Sequence, residues 1–123
     1  MNIEKTDYEQ MEAWLKNYFL DPLTSFADQT QFRIDLFETE KNWIVEATLS
    51  DYDSSEIKVF IEKDKLTISA EKHPSGAKRA RVIDFPFEII EQKVIAAFSN
   101  GILEIFISKT EKEIGRNRYI TLP

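Results

Sequence analysis

The residues of this chain that could do chemistry are few, and their densest group is a set of carboxylates in one polar stretch. Asp51, Asp53 and Glu56 stand close together there. Paired carboxylates can exchange protons in acid–base catalysis, and clustered ones can ligate calcium. The spacing does not match an EF-hand loop, because no glycine follows at the sixth position. We therefore interpret the stretch as a solvated loop and predict no metal ligands.

Other reactive groups are scarce. The sequence contains no cysteine, which removes disulfides, thiolate catalysis and Cys-ligated metal, and its one histidine, His73, precedes Pro74 in a predicted surface loop. We find no glycine-rich phosphate loop and no nucleophile elbow. The sequence thus predicts no enzyme, no cofactor and no binding or hydrolysis of ATP.

Composition limits the class of partner. A chain of 123 residues is one domain by the usual prior, and its formal net charge is -6. Nucleic-acid binders need a basic stripe that neutralises phosphates, so we do not expect nucleic acid as a ligand. No leader sequence is recognised at the N-terminus, and no apolar run approaches the ~20 residues of a membrane span. We expect a cytoplasmic protein.

The clearest local structure signal is a hairpin near the end of the chain. Two segments of alternating apolar residues, over residues 93–107, are separated by the pair Asn100 and Gly101. A type I′ turn requires φ > 0 at both central residues, which Asn-Gly tolerates best. This segment therefore predicts two antiparallel strands joined by a tight turn.

The first 30 residues have a helical period instead. Asp7 is a candidate N-cap and Pro22 bars continuation, which predicts a helix over about residues 8–20. An isolated helix of this length is marginal in water, so it must pack on the core or on a partner. Its apolar residues recur at steps of three and four, the spacing of one helical stripe: Tyr8, Met11, Trp14, Leu15, Tyr18 and Phe19.

Alternation of apolar and polar residues resumes from about residue 31 and continues to about residue 108. It predicts seven short strands with turn signals between them and no intervening helix. This order favours an all-β, two-sheet antiparallel sandwich over a parallel sheet, which needs helical crossovers. We divide the chain into an N-terminal arm (1–30), a β-sandwich domain (31–109) and a C-terminal tail (110–123).

Several of these features coincide with one known family. Ala96, Gly101 and Leu103 form an Ala-x4-Gly-x-Leu run that resembles the signature of the small heat-shock protein, or α-crystallin, family. The order of strands from Phe32 to Lys109 is similar as well. The resemblance implies an immunoglobulin-like antiparallel β-sandwich, the α-crystallin domain. It also implies dimers that assemble further when tails dock into a groove on a neighbouring domain.

The resemblance assigns roles to individual residues. Ile120 and Leu122 match the C-terminal anchor, although such a pair can also occur by chance in a disordered end. Arg81 matches a family arginine at the dimer interface, with Ile83 beside it, although it could equally be a solvated charge that protects an edge strand. The predicted groove residues are Ile57, Val59, Ile61, Val94, Ala96 and Phe98.

One departure from the family concerns the dimer. Only nine residues separate Glu71 from Arg81. Many bacterial members have a longer loop there, with an extra strand that is exchanged between subunits. We therefore expect pairing along the edge of the Arg81 strand, or a weakened dimer.

The aromatic arm has two interpretations. Its apolar stripe could pack on the sandwich, as amphipathic stripes usually do. The family resemblance favours the second interpretation, a segment that contacts unfolding proteins or other subunits. The residues predicted to make these contacts are Trp14, Leu15, Tyr18, Phe19, Leu20 and Phe26.

The resemblance leads to a functional hypothesis of an ATP-independent holdase chaperone, whose partners are copies of itself and unfolding client proteins. A structural protein of the same type, for instance one associated with a spore coat, is the alternative, and the localisation could then be the spore. A CS-type co-chaperone is a third possibility, which the Ile-x-Leu tail and the Ala-x4-Gly-x-Leu run disfavour.

Overall fold

The computed structural model describes residues 5–20 and 22–123, with side chains described for residues 9–17, 24 and 26–123. Two helices come first, α1 (Lys5–Leu20) and α2 (Pro22–Thr30). The strands that follow are β1 (Ile34–Glu38), β2 (Asn42–Thr48), β3 (Ile57–Glu62), β4 (Lys65–Glu71), β5 (Lys78–Asp84), β6 (Gln92–Ser99), β7 (Ile102–Lys112) and β8 (Arg118–Tyr119).

The helical arm differs from the prediction at two points. Helix α1 already includes Lys5, so Asp7 lies inside the helix and its prediction as the N-cap is wrong. The predicted end near residue 20 is confirmed, but a second helix follows directly. Pro22 begins α2 because a first helical position needs neither an N–H partner nor a free φ angle.

The predicted antiparallel sandwich is confirmed. One sheet, which we call sheet A, has the strand order β1-β2-β7-β6, and the other, sheet B, has the order β5-β4-β3-β8. All neighbouring strands are antiparallel. The predicted hairpin joins β6 to β7, and Asn100 and Gly101 have φ angles of 52° and 77°, as a type I′ turn requires.

The core lies between the two sheets and follows the alternation of the sequence. Along β2, Trp43, Val45 and Ala47 are buried and the residues between them are not. β3 and β7 alternate in the same way. Burial of one face of each strand fixes its register, because a shift by one residue would turn the apolar set outward.

The arm covers one open side of the sandwich. This side lies at two edge strands, β1 of sheet A and β5 of sheet B. Asp28 of α2 accepts a hydrogen bond from the amide of Ile34 at 3.2 Å and from Nη1 of Arg81 at 2.6 Å, and so links both sheets. In α1, Met11 is only 2% exposed. The rings of Trp14 and Phe85 stack with centroids 5.2 Å apart. The described part of the arm is therefore attached to the domain.

Candidate functional site

The candidate site is a groove on the opposite open side of the sandwich, between β3 and β6. Ile57 and Val59 of β3 are buried, and so are Val94 and Ala96 of β6. The first pair lines one cavity beside Ile120, and the second pair lines the other. The structure thus brings these four predicted groove residues together.

The tail of the same chain lies in this groove. Strand β8 pairs with β3, with Tyr119 opposite Phe60 and Arg118 opposite Ile61. The amide of Ile120 then donates a hydrogen bond to the carbonyl of Val59 at 2.8 Å. These are backbone contacts of the kind by which a peptide strand is added to a sheet edge.

The two predicted anchor residues enter the groove. Ile120 and Leu122 are half-buried and pack against the core. Cavities of about 410 and 390 Å³ remain on either side of the tail. Ile57 and Val59 line the first of them, and the second is lined in part by Val94 and Ala96. The predicted groove residues Ile61 and Phe98 are outside both linings: Ile61, which is opposite Arg118 of β8, is fully buried, and Phe98 packs on the core.

Arg118 holds the tail, a role that no sequence pattern indicated. Its Nη1 donates to the carbonyl of Ile90 at 2.7 Å, and its Nη2 donates to that of Gln92 at 2.8 Å. Its Nε lies 3.7 Å from Oε2 of Glu113 and has no hydrogen-bond partner in the structure. The charged segment contains several basic residues, and only the fold shows which of them reaches these carbonyls.

The residues predicted for the dimer interface are buried within the chain. Arg81 is 7% exposed and Ile83 is fully buried. Besides Asp28, the guanidinium of Arg81 donates to the carbonyl of Phe32 at 2.6 Å. Arg81 is therefore held by the arm and by the segment that leads into β1, and it is not a solvated edge charge.

The outer edge of β5 is close to these residues. The amide of Ala80 faces away from β4 and donates to Oε1 of Gln31 at 3.2 Å. Since amides alternate in direction along a strand, that of Val82 points outward as well. β5 is connected to β4 by residues 72–77, a turn in which the Lys72 amide donates to the Ala77 carbonyl at 2.8 Å and the Gly76 amide donates to the Lys72 carbonyl at 2.7 Å. The connection is thus short, as the sequence indicated.

The predicted contact residues of the arm are in different environments. Trp14 and Leu15 are half-buried against the core, whereas Phe26 of α2 is 63% exposed. The side chains of Tyr18, Phe19 and Leu20 lie outside the described residues. The arm therefore combines packing on the sandwich with at least one exposed aromatic ring.

The carboxylate stretch has a structural role at Glu56. Its carboxylate accepts hydrogen bonds from the amides of Asp53 at 2.9 Å and His73 at 2.7 Å, which connect two loops. The Asp53 amide, then the His73 amide and the nearby Lys72 ammonium hold the pKa of Glu56 below its usual value. Among the described residues, no group of three or more His, Asp or Glu side chains is arranged to hold a metal ion.

The architecture defines a class of protein: an antiparallel β-sandwich whose own chain end is added to an edge strand beside an apolar groove. The sequence model that describes the Hsp20/alpha crystallin family matches residues 35–122 of this chain. The chain belongs to this family.

Two relatives are similar to this chain over most of its length. Spore coat protein M of Bacillus subtilis (strain 168) is 26% identical over 120 residues, which cover 98% of this chain and 88% of that protein. Small heat shock protein C4 of Rickettsia felis is 28% identical over 117 residues, covering 78% of this chain and 72% of that protein. Both alignments extend well beyond the Ala-x4-Gly-x-Leu run.

A solved structure supports the same fold. The crystal structure of hspA from Xanthomonas axonopodis matches with a TM-score of 0.52 and 26% identity, over 66% of this chain and 95% of that one. Family and fold are thus those of the small heat-shock proteins. Within residues 5–20 and 22–123, neither helix has the length and apolar character that crossing a membrane requires.

Proposed function

We propose that this chain is an ATP-independent holdase that binds unfolding proteins through apolar surface and limits their aggregation. The observation that carries the proposal is the tail in the groove. It is held by two residue pairs of β8 and the Ile120 amide, with cavities on both sides. Release of the tail uncovers the apolar side chains of Val59, Val94 and Ala96. Contact through such surface is broad in specificity because hydrophobic burial is non-directional.

The energetics favour reversible docking. Full burial of Ile120 and Leu122 would contribute ~3–6 kcal/mol before costs. Ordering the residues that precede them opposes this gain, and both side chains are only half-buried here. A single tail is therefore weakly held, and it can exchange between its own groove and that of a neighbour.

The same groove and tail support assembly into homo-oligomers. We propose that tails occupy neighbouring grooves in the assembly and that dimers form along the outer edge of β5. In this arrangement Arg81 positions the edge, since it ties β5 to Asp28 of the arm. Ile83 supports the same strand from inside the core.

The arm supplies a second contact surface in this proposal. Phe26 is exposed and available to a client, whereas Trp14 and Leu15 become available when α1 leaves the sandwich. Tyr18, Phe19 and Leu20 remain predicted contact residues.

A test of holdase activity needs only the full chain and a thermolabile client enzyme. Light scattering of the heated client is followed without ATP, with the chain at an equimolar subunit ratio. We expect suppressed scattering and a soluble complex of client and chain. Unchanged client aggregation would contradict the proposed function.

A structural role in a spore layer is the second candidate. It is favoured by one observation, the similarity to a spore coat protein over 98% of this chain. In that case the chain would fractionate with an insoluble layer and give no protection in the scattering assay. A cytoplasmic, soluble fraction that protects clients would favour the holdase.

A further inference from the structure

The outer face of sheet A carries an apolar row, of which one residue, Ile95, also lines a cavity beside the tail. Across the four strands, Phe37 is opposite Ile44, Ile44 is opposite Phe106, and Phe106 is opposite Ile95. We call these four residues the outer apolar row. Their neighbours along the strands, such as Trp43 and Ile105, are the ones that fill the core. The row therefore lies on the side of the sheet that faces away from the sandwich.

The ends of this row are open to solvent. Phe37 is 48% exposed and Ile95 is 55% exposed, while Ile44 and Phe106 between them are half-buried. The described contacts of α1 are made with the core, through Met11, Trp14 and Leu15, and by the stacking of Trp14 on Phe85. Continuous apolar surface of this kind commonly marks an interaction site.

An acidic row runs beside the apolar one. Asp35 is opposite Glu46, and Glu46 is opposite Glu104. Asp35 is paired with Arg33, whose Nε is 3.0 Å from its Oδ2. In the part of the chain that the structure describes, Glu46 and Glu104 form no ion pair. Like charges directly opposite each other on a sheet destabilise it, so this arrangement opposes folding and creates a negative strip.

The dimensions of the two rows fit a helix lying across the strands. Neighbouring strands are ~4.8 Å apart, so the apolar row is ~14 Å long, and the acidic row is displaced from it by ~7 Å. An α-helix has a pitch of ~5.4 Å and a diameter of ~10 Å. Its apolar stripe can therefore place about one side chain per strand along the row, while one flank of the helix lies over the carboxylates.

We propose that the outer face of sheet A is a docking surface for an amphipathic helix with Lys or Arg side chains along one flank of its apolar stripe. Charge complementarity selects this partner. A second copy of the chain fits poorly, because each copy has a net charge of -6 and α1 itself has three acidic and two basic residues. Phe37, Ile44 and Phe106 lie outside the linings of both cavities beside the tail, and only Ile95 is shared with one of them. The single variant Phe37→Ser therefore tests helix docking without touching the groove, and holdase activity can fail independently of it.

The test uses the full chain and two labelled helical peptides, followed by fluorescence anisotropy. One peptide has a leucine stripe flanked by lysines, and the other has glutamates in place of the lysines. We expect the lysine peptide to bind at least tenfold more tightly. The double variant Phe37→Ser/Ile95→Ser should weaken its binding at least fivefold, and Glu46→Gln/Glu104→Gln should abolish the preference between the peptides.

Matched controls use exposed residues far from this face. Ile114→Ser removes an exposed apolar side chain, and Glu62→Gln/Glu71→Gln removes two exposed charges; neither should change binding. Equal binding of the two peptides, or unchanged binding by Phe37→Ser/Ile95→Ser, would overturn the proposal. So would a fall in the sedimentation coefficient of that variant without peptide, because a second copy would then be the occupant.

Discussion

Glu56 illustrates how a residue that suggested chemistry serves structure instead. Its carboxylate is held by two backbone amides, from Asp53 and His73, and the Lys72 ammonium lies 3.9 Å away. Lys72 also donates to the carbonyl of Asp51. The polar loop before β3 is thereby tied to the turn after β4. A carboxylate used in this way is a loop clamp and not an acid–base catalyst.

The lowered pKa of Glu56 predicts how stability depends on pH. The folded pKa lies below the ordinary value of 4.5, so the stabilisation is complete above that value and is lost as the pH falls through the folded pKa. Glu56→Gln should therefore lower the free energy of unfolding near neutral pH, and the difference from the wild type should shrink in acid. Urea unfolding at several pH values measures this. A difference that is constant with pH, or a similar effect in the exposed control Glu62→Gln, would contradict it.

Arg118 provides a second prediction at this scale. Hydrogen bonds from a charged group contribute ~1.5–3 kcal/mol, so Arg118→Ala should loosen the tail. Hydrogen exchange at the Ile120 amide should accelerate on the order of ten- to hundredfold. The exposed Arg116→Ala is the matched control and should leave exchange unchanged. Equal protection in both variants would show that Arg118 does not hold the tail.

At the scale of elements, the hairpin between β6 and β7 is also a tertiary contact. A Cβ atom on Gly101 would lie 2.8 Å from the backbone Cα of Ser50, whereas one on Gly76 would meet nothing within 4 Å. Both glycines have positive φ, 77° and 76°. The turn after β2 thus packs directly on the β6–β7 turn.

The two glycines make a controlled pair of substitutions. Gly76→Ala should lower the free energy of unfolding by about 1–2 kcal/mol, the cost of the left-handed backbone alone. Gly101→Ala should lower it by about a further 1–3 kcal/mol, because the backbone of Ser50 must move. Urea unfolding of both variants measures these two losses in the free energy of unfolding. Equal losses would mean that the contact with Ser50 is unimportant.

The edge of β5 permits a test of the proposed dimer. Val82→Pro removes the outward amide that a partner strand would need, and proline is tolerated at sheet edges. With Ile120→Asp/Leu122→Asp added to prevent assembly through the tails, we expect Val82→Pro to form monomers, while the control Val82→Ala, which keeps its amide, remains dimeric. Multi-angle light scattering measures both masses. Dimers of the proline variant would exclude pairing along β5.

Elements that depend on local pattern could be predicted from the sequence, and those that depend on distant contacts could not. The strands were predicted from the alternation of apolar and polar residues, and the β6–β7 turn was predicted from Asn100 and Gly101. The start of α1 and the existence of α2 were missed because Asp7 and Pro22 are each compatible with more than one helix boundary. At the candidate site, Ile120 and Leu122 were predicted from their resemblance to the family's C-terminal anchor. Arg118 was not, since its partners are carbonyls near residue 90.

At the scale of the whole molecule, both open sides of the sandwich are closed by the ends of the same chain. The arm closes the side of β1 and β5 through Met11 and Asp28, and the tail closes the side of β3 and β6. The tail thus covers the proposed groove surface of the sandwich, and the sandwich covers Trp14 and Leu15 of the arm. Client binding and folding of the terminal segments would compete for the same apolar side chains.

The tail predicts the state of assembly. Ile120→Asp/Leu122→Asp would place two charges in an apolar groove, which is costly without partners. We expect the double variant to form smaller particles than the wild type, down to the dimer, as measured by light scattering. Ile114→Asp adds a charge in the same segment at a side chain that is 71% exposed, and it should leave the mass unchanged. A wild-type mass for the double variant would exclude tail-mediated assembly.

The short segment 113–117, between β7 and β8, affects the exchange of tails between subunits and the dependence of assembly on protein concentration. A tether of this length presents the tail to its own groove at an effective concentration in the millimolar range. A single neighbouring tail at ordinary protein concentration therefore replaces it in only a small fraction of subunits, and extensive exchange requires several tails to be presented together. Growth of the assembly would then begin only above a threshold concentration, and dilution would return each subunit to a self-closed form.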